Sequence, residues 1–305
     1  MTPPSASTHP AASVGPAAWS MTPFLRASIG LHAVGAGVLA ADPAAWPWVA
    51  GGLLLNHVAI TAGGLWPRSR WIGANVLRLD ESAAARGEVA ITIDDGPDPE
   101  VTPAVLDLLA AHGAVATFYC IARRAETHAA LAREIVARGH ALENHSDAHD
   151  HRFSFSGPRA FDREIARAQD RIAAITGVRP TTFRAPAGLR NPFLDPVLHR
   201  HALRLVSWTR RGFDTRERDA SRVLARLARG LAGGDILLLH DGHAARGPNG
   251  RPVILDVLPP LLESIHRAGL RTVTVPQSLA AAHAIRAPGT DPASASAPLS
   301  STPSA

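Results

Sequence analysis

The sequence predicts an α/β fold, a distorted barrel of seven β/α units preceded by hydrophobic N-terminal helices that we expect to cross a membrane. From Glu88 onward, short β-type runs alternate with helical runs, which implies a parallel sheet. Seven such units over about 190 residues fit a barrel, or a barrel that lacks one unit. Two uncharged apolar stretches precede these units. An open doubly wound sheet is the alternative architecture.

The two ends of the chain differ in composition from its middle. Residues 1–20 and 287–305 consist mainly of Pro, Ser, Ala, Thr and Gly, with few large apolar side chains. Such segments cannot bury enough surface to offset the entropy lost on ordering. We therefore predict that both are disordered.

Residues 23–66 contain the apolar stretches and are predicted to form a membrane anchor. The second stretch, Pro43–Trp66, has no charged residue, and its length at about 1.5 Å per residue suits a bilayer core of about 30 Å. Tryptophans 46, 48 and 66 lie near its ends, as interfacial anchors do. A helical hairpin buried against the following domain is one alternative. A secretory signal that starts at Met21 and ends near Ala41 is the other.

Arginines lie before and after the two apolar stretches. If both stretches cross the membrane, all of these arginines lie on the same side of it. Arg26 precedes them, and Arg68, Arg70 and Arg78 follow them in a segment, 67–87, that we predict to be a linker. The positive-inside rule then places both ends of the anchor in the cytoplasm and slightly favours a cytoplasmic domain. Because every basic residue is arginine, which is typical of a GC-rich bacterial genome, we expect a bacterial inner membrane.

The remaining elements are predicted between residues 88 and 276, which we take as one domain. The predicted strands are Glu88–Ile93, Val115–Cys120, His140–Asn144, Thr181–Ala185, Leu203–Trp208, Asp235–His240 and Arg271–Val275. The predicted helices are Pro103–His112, Ala129–Arg138, Pro158–Thr176 and Val253–Ala268. Thr102 followed by proline is typical of a helix start, and glycines 113, 139, 177 and 269 stand where helices should end.

Composition excludes several classes of protein. All 31 basic residues are arginine, so a phosphate-loop lysine and a lysine-bound pyridoxal cofactor are ruled out. The single cysteine, Cys120, rules out an internal disulfide and a Cys-rich metal site. A metal site would have to use His and carboxylates. The net charge of +5 comes without a basic tract interleaved with aromatic residues, so we expect no nucleic-acid partner, and no protein partner is evident.

Two adjacent carboxylates, Asp94 and Asp95, follow the first predicted strand directly. Adjacent acids at a strand end are costly to bury unpaired, but a cation bound to one of them offsets the repulsion and leaves the other free to accept a proton. An ordinary Asp-Gly-Pro turn is the alternative.

The third predicted strand is followed by two histidines, His145 and His149. A spacing of four residues places both imidazoles on the same side of one helical turn, where both can bind one metal ion. With one aspartate from the first strand end they supply two nitrogens and one oxygen, which leaves coordination positions open for water and substrate. His151 would point elsewhere and is not expected to be a ligand.

Two further strand ends carry polar residues, Arg184 on the fourth strand and His240 on the sixth. In a barrel of parallel strands all C-terminal strand ends open on one face. These two residues should therefore lie with the aspartates and histidines of the first and third strands. Taken singly, Arg184 could be a surface ion pair and His240 an ordinary core histidine.

The ordered motifs resemble those of the polysaccharide deacetylases, the NodB-like homology domain of carbohydrate esterase family four. The matching segments are Thr92-Ile93-Asp94-Asp95-Gly96-Pro97, His145-Ser146 with His149, Arg184-Ala185-Pro186-Ala187-Gly188, and Leu238-Leu239-His240-Asp241. The resemblance implies that Asp94 is the general base, oriented by Arg184, and that His240 is the general acid. It also implies that Asp95, His145 and His149 hold a divalent metal, with zinc expected first and cobalt or nickel as alternatives.

The chain departs from the family pattern near the substrate. Ala187 stands where an aromatic residue is usual, but it keeps the backbone N–H that the family uses as an oxyanion donor. Trp208 and Asp214 match the fourth motif, while Arg211 and Thr215 replace an acid and a tryptophan. The resemblance thus implies Asp214 as the residue that tunes His240, and Pro186, Ala187 and Trp208 as substrate-binding residues.

The predicted activity is metal-dependent hydrolysis of an N-acyl group, acetyl or formyl, from an amino sugar of a polysaccharide or a lipid-linked glycan. A catalytically inactive, membrane-anchored glycan-binding protein is one alternative. An amidase that acts on a non-carbohydrate C–N bond is the other.

Overall fold

A computed structural model describes residues 19–286, so the predictions for residues 1–18 and 287–305 lie outside the described residues. The described chain contains eight strands: β1 (Glu88–Asp94), β2 (Ala116–Cys120), β3 (Ala141–Asn144), β4 (Thr182–Phe183), β5 (Arg204–Leu205), β6 (Arg210–Arg211), β7 (Ile236–His240) and β8 (Arg271–Thr272). Its α-helices are α1 (Pro23–Ala41), α2 (Trp46–Leu65), α3 (Glu81–Ala85), α4 (Thr102–Ala111), α5 (Ala122–Thr127), α6 (Ala129–Ala137), α7 (Pro158–Thr176), α8 (Leu194–Arg200), α9 (Ala220–Ala228), α10 (Val253–Arg267) and α11 (Val275–Arg286).

The strands form one parallel sheet in the order β5-β4-β3-β2-β1-β7-β6, and β8 pairs with the first residues of β1. Within residues 19–286, no pairing joins the terminal strands β5 and β6, so the sheet curls into a half-barrel that does not close. The predicted fold class is confirmed. The open side lies between the edge strands β5 and β6.

Strands β1 and β7 are buried on both faces, which explains their nearly continuous apolar sequence. On the outer face, Ile91 and Leu237 pack in a core formed with helices α4 and α10. On the inner face, Ala90 and Leu238 pack with Tyr119. The centre of the sheet is therefore a rigid support for the side chains at its C-terminal edge.

The structure differs from the predicted elements in two places that affect the site. The predicted strand Leu203–Trp208 pairs only over Arg204–Leu205, and the chain then bends and forms β6, which the sequence did not predict. Two consecutive arginines do not resemble a strand, but Asp235 accepts a charged hydrogen bond from Arg210 and holds it beside β7. The segment from His145 to His149 is a loop and not the predicted helical turn.

Residues 67–87, predicted as a linker, lie against the half-barrel. Ile72 and Ala83 are fully buried, and Val76 forms a β-bridge with Val206. The Leu79 N–H donates to the carbonyl of Gly234. This segment therefore fixes the position of α2 relative to the sheet.

Helices α1 and α2 form an antiparallel hairpin, and each is long and apolar enough to cross a membrane. Only 11% of each candidate span is buried, so the alternative of a hairpin buried against the domain does not describe the structure. The helices approach closely at Gly35, where a Cβ would lie 2.9 Å from Val49. Asn56 also donates a hydrogen bond to Ser28 between the two helices (2.7 Å).

Candidate active site

The predicted site residues meet in a cleft at the C-terminal edge of the sheet. Because β1 pairs with β2 on one side and β7 on the other, Asp94 lies opposite both Tyr119 and His240. The predicted residues that line the cleft, which has a volume of about 200 Å³, are Asp94, Asp95, His145, His149, Ala187, Trp208 and His240. Arg184 and Asp214 are buried behind it, and Pro186 is buried outside the lining. The structure thus brings together residues from five separate parts of the chain.

Asp94 is held by the buried guanidinium of Arg184, whose Nη1 lies 2.6 Å from Asp94 Oδ1. The same nitrogen donates to Thr92 Oγ1, while Nη2 donates to the carbonyl of Ser207 and Nε to that of Val206. A guanidinium with this many partners has one orientation, so it also fixes the Asp94 carboxylate.

The candidate metal centre consists of Asp95, His145 and His149, whose ligand atoms lie within 4.8 Å of one another. Asp95 Oδ1 lies 3.2 Å from His145 Nε2 and 3.3 Å from His149 Nε2. His151 lines the same cleft but does not belong to this group.

The donor atoms at this centre fit a cation. His145 Nδ1 lies 2.8 Å from the carbonyl of Arg184, which only accepts, so Nδ1 carries the proton and the lone pair of Nε2 faces Asp95. Asp95 Oδ1 is itself buried with no hydrogen-bond partner. Two acceptors that face each other in a buried site require a positive charge between them. Nitrogen and carboxylate ligands in a set of three are typical of catalytic zinc.

The pKa values of Asp95 and His149 agree with this interpretation. Burial raises the pKa of Asp95, but the neighbouring His145, the hydrogen bond from His243 and the charge of His240 outweigh it and hold the pKa well below the usual range. Burial, together with the neighbouring His145, lowers the pKa of His149 to about 4. An ionised carboxylate and a neutral imidazole are the forms that bind a metal ion.

The backbone at the cleft is held in costly conformations. Asp95, Ser146, His149 and Ala187 have positive φ angles of 75°, 69°, 56° and 54°, which non-glycine residues seldom adopt. Each such residue costs about 1–3 kcal/mol and persists only where the surrounding structure imposes it. Their concentration at one cleft indicates a functional site.

His240 is paired with Asp214 through two contacts. His240 Nδ1 lies 2.9 Å from Asp214 Oδ1, and the His240 backbone N–H donates to Asp214 Oδ2 at 2.7 Å. Burial lowers the pKa of His240, but the Asp214 carboxylate, aided by Asp94 and Asp95, outweighs this effect and raises it to about 9. His240 is therefore protonated at neutral pH, as a general acid must be.

The substrate side of the cleft contains the residues that depart from the family pattern. Trp208 is almost fully buried, and Arg211 lies over its ring at 5.4 Å from the centroid. Arg211 and Thr215 both line the cleft. Ala187 is exposed and has no ring with which to stack on a sugar.

Two residues near the metal centre were missed by the sequence analysis, His243 and Arg124. His243 Nδ1 lies 2.8 Å from Asp95 Oδ2, and Arg124 Nη2 lies 3.2 Å from His243 Nε2. Because Arg124 only donates, Nε2 is the acceptor and Nδ1 carries the proton given to Asp95. Arg124 also binds the carbonyls of Asp95 and Gly242. In the sequence, only the position of His243, three residues beyond His240, indicated that it could lie near the site.

We expect His243→Ala to weaken zinc binding by about 10- to 100-fold, because the candidate ligand Asp95 loses the hydrogen bond that orients it. The measurement is competition for zinc with a chromophoric chelator, using His266→Ala, an exposed histidine at the end of α10, as the control. Unchanged zinc affinity in His243→Ala would show that the contact has no part in metal binding.

The half-barrel and its carboxylate and histidine site define a class of carbohydrate-active hydrolases, and the comparisons agree. Residues 81–206 match the family model of polysaccharide deacetylase. A chitooligosaccharide deacetylase of Azorhizobium caulinodans is 36% identical over 163 residues, 52% of this chain and 75% of that protein. A peptidoglycan-N-acetylglucosamine deacetylase of Bacillus cereus is 30% identical over 197 residues, 64% of this chain and 89% of that protein.

A solved structure is similar as well. The family 4 carbohydrate esterase from Streptomyces lividans, in complex with acetate, is 30% identical and has a TM-score of 0.56, covering 61% of this chain and 91% of that one. The chain belongs to the polysaccharide deacetylase family, and the predicted resemblance and enzyme class, a hydrolase of non-peptide C–N bonds, are confirmed. His240 and Asp214 lie beyond the segment that the family model matches.

Proposed function

We propose that this protein is a metal-dependent N-deacylase that removes an acetyl or formyl group from an amino sugar of a glycan. The observation that carries the proposal is the complete set of groups around one cleft. A carboxylate held by a buried arginine, a three-ligand metal centre and a protonated histidine surround the space where an acetamide would lie. The relatives act on chitooligosaccharides and on N-acetylglucosamine of peptidoglycan.

The side chains have distinct roles in the proposed reaction. Asp94 takes a proton from the water that attacks the acyl carbonyl, and Arg184 keeps its carboxylate aimed at that water. The Ala187 N–H donates to the oxygen that becomes negative in the tetrahedral intermediate. His240 gives its proton to the nitrogen, so that the sugar leaves as a neutral amine. The products are the free amino sugar and acetate or formate.

The metal would be held by Asp95, His145 and His149, with zinc first and cobalt or nickel as alternatives. Bound there, a divalent cation supplies Lewis-acid polarisation of the carbonyl and lowers the pKa of water. The buried, unpartnered Asp95 Oδ1 is the observation that favours such an ion.

We further propose that helices α1 and α2 anchor the protein in the bacterial inner membrane, with the cytoplasmic side favoured by the flanking arginines. The length, apolar composition and exposure of the helices support this proposal. A secretory signal would remove the segment up to Ala41. It would also remove the hydrogen bond from Trp19 Nε1 to Asp195 (2.8 Å), which ties the start of the hairpin to the domain.

The test is release of acetate and formate by the full-length protein in detergent, after removal of metal and reloading with zinc, cobalt or nickel. The full chain is required because Ile72 and Val76 form part of the folded domain. Substrates are N-acetylglucosamine oligomers, muropeptides and N-formyl sugars, with simple amides and ureides to detect a non-carbohydrate amidase. We expect metal-dependent release that His149→Ala abolishes. Stoichiometric metal and glycan binding without release would favour the inactive glycan-binding alternative.

A further inference from the structure

The domain-side end of the helical hairpin is attached directly to one wall of the cleft. The Gly64 carbonyl, near the end of α2, accepts a hydrogen bond from the Arg190 N–H at 3.1 Å. A Cβ at Gly64 would lie 2.3 Å from the Arg190 carbonyl oxygen. Two residues beyond α2, Pro67 lies against Gly188, where a Cβ would come within 2.7 Å of it. Gly188 lines the cleft, so hairpin and cleft wall are in contact.

Further bonds make this attachment rigid. The buried Arg190 guanidinium donates to the carbonyls of Ser69, Gly73 and Ala74, all of which follow α2. The Ser207 hydroxyl donates to the Pro67 carbonyl at 2.7 Å, and Trp208 follows Ser207 directly. The segment after α2 thus touches both Gly188 and the segment between β5 and β6 that carries Trp208.

The path of the hairpin determines where this end would lie in a bilayer. α1 begins and α2 ends at the domain, and the turn around Asp42 is at the opposite end. Helices of 19 and 20 residues are about 29 and 30 Å long, close to the thickness of the hydrocarbon core. When the hairpin crosses a bilayer, the cleft wall therefore lies at the level of the lipid headgroups.

Exposed aromatic side chains gather at the same end of the hairpin. Trp66 is 54% exposed, Trp71 47%, Phe193 53% and Phe155 84%. Asn191 holds the Phe155 loop next to this end by donating to the carbonyls on either side of Phe155. Exposed aromatic residues in a band at the end of a membrane helix are typical of the membrane–water interface. Nearby arginines, Arg26, Arg68 and Arg70, would face anionic headgroups.

We infer that the hairpin seats the cleft at the bilayer surface, and that the substrate is an N-acylated amino sugar carried on a membrane lipid. This inference rests on the proposed deacylase function. A sugar attached to a lipid is held at headgroup level, so its effective concentration at a cleft in the same plane is high without further contacts. A soluble glycan gains nothing from this placement.

The first experiment measures the position of the cleft and does not depend on activity. The native Cys120 is fully buried, so a fluorophore can be attached to Phe155→Cys or, as the matched control, to Val178→Cys. Val178 is also exposed but precedes β4, at the opposite edge of the sheet. In full-length protein reconstituted into vesicles, brominated lipids should quench the label at 155 strongly and the label at 178 weakly. Equal quenching overturns the inference.

The second experiment compares one N-acetylated sugar in two forms, on a polyprenyl diphosphate in the same vesicles and as a soluble oligosaccharide. We expect kcat/KM to be about 10²-fold higher for the lipid-linked form. Gly64→Ala, which pushes the hairpin from Arg190, should reduce this ratio, whereas Gly51→Ala, with no atom within 4 Å of its Cβ, should preserve it. Equal rates on both forms overturn the inference but leave the deacylase function intact. Absence of release from both forms means that the deacylase function itself is wrong.

Discussion

Replacing Asp94 by Asn is expected to lower kcat for deacylation by about 10³-fold while metal content stays unchanged. The amide has the shape of the carboxylate and can still accept the Arg184 hydrogen bond, but it cannot take a proton from water. Asp94 is not one of the three candidate ligands, so the loss should appear in kcat and not in zinc stoichiometry. Acetate release at saturating substrate and the metal-to-protein ratio are the two measurements.

Asp107→Asn is the matched control for this experiment, because it removes the same charge from a largely exposed side chain on α4. We expect it to keep full activity. A similar loss of metal in Asp94→Asn would mean that Asp94 is itself a ligand. Full activity in Asp94→Asn would exclude it as the base.

The sequence predicted the parts of the site that depend on strand order. Once β3, β2, β1 and β7 lie side by side as parallel strands of one sheet, the residues that follow β1, β3 and β7 come to the same edge, whatever the loops do. For that reason the positions of Asp94, His145 and His240 followed from the pattern of apolar runs alone. The convergence did not require the helical turn that was predicted for residues 145–149, because the loop there also brings both imidazoles to Asp95.

The sequence could not predict contacts made between distant loops. Arg124 lies on α5, a short helix with no clear apolar period, and His243 lies in the loop after β7. Their meeting at Asp95 depends on the path of both segments in space. The short strand β6 was missed for a similar reason, since Asp235 and β7, and not its own sequence, hold it in the sheet.

The attachment of the hairpin also depends on contacts that no motif contains. In the sequence, the glycine pair at 63–64 looks like part of an apolar helix. In the structure, the Arg190 backbone leaves no space for a side chain at position 64, so glycine is required there. Arg190 in turn has a buried guanidinium that binds three carbonyls after α2. Residues 67–87 therefore connect the helical hairpin to the cleft by specific bonds and do not form a free tether.

Removing the Asp214 carboxylate with Asp214→Asn is expected to move the alkaline limb of the kcat–pH profile downward by about 1–2 pH units. His240 acts while protonated, so activity is present below its pKa and is lost as the pH rises through it. In the parent enzyme the pKa of about 9 places this loss near pH 9. The asparagine can still accept from Nδ1 but supplies no negative charge, so the imidazolium is stabilised less and loses its proton at lower pH.

The kcat–pH profile of His240→Ala separates a shift in the pKa of His240 from a structural effect of the Asp214 substitution. That variant should lose about 10²- to 10³-fold in kcat and show no alkaline limb, because no residue then donates the proton. Asp170→Asn, which removes an exposed carboxylate from α7, should reproduce the parent profile. An alkaline limb that stays in place in Asp214→Asn would mean that a group other than His240 protonates the leaving amine. A shifted limb would show that Asp214, 26 residues before His240 in the chain, sets the pH range in which the enzyme works.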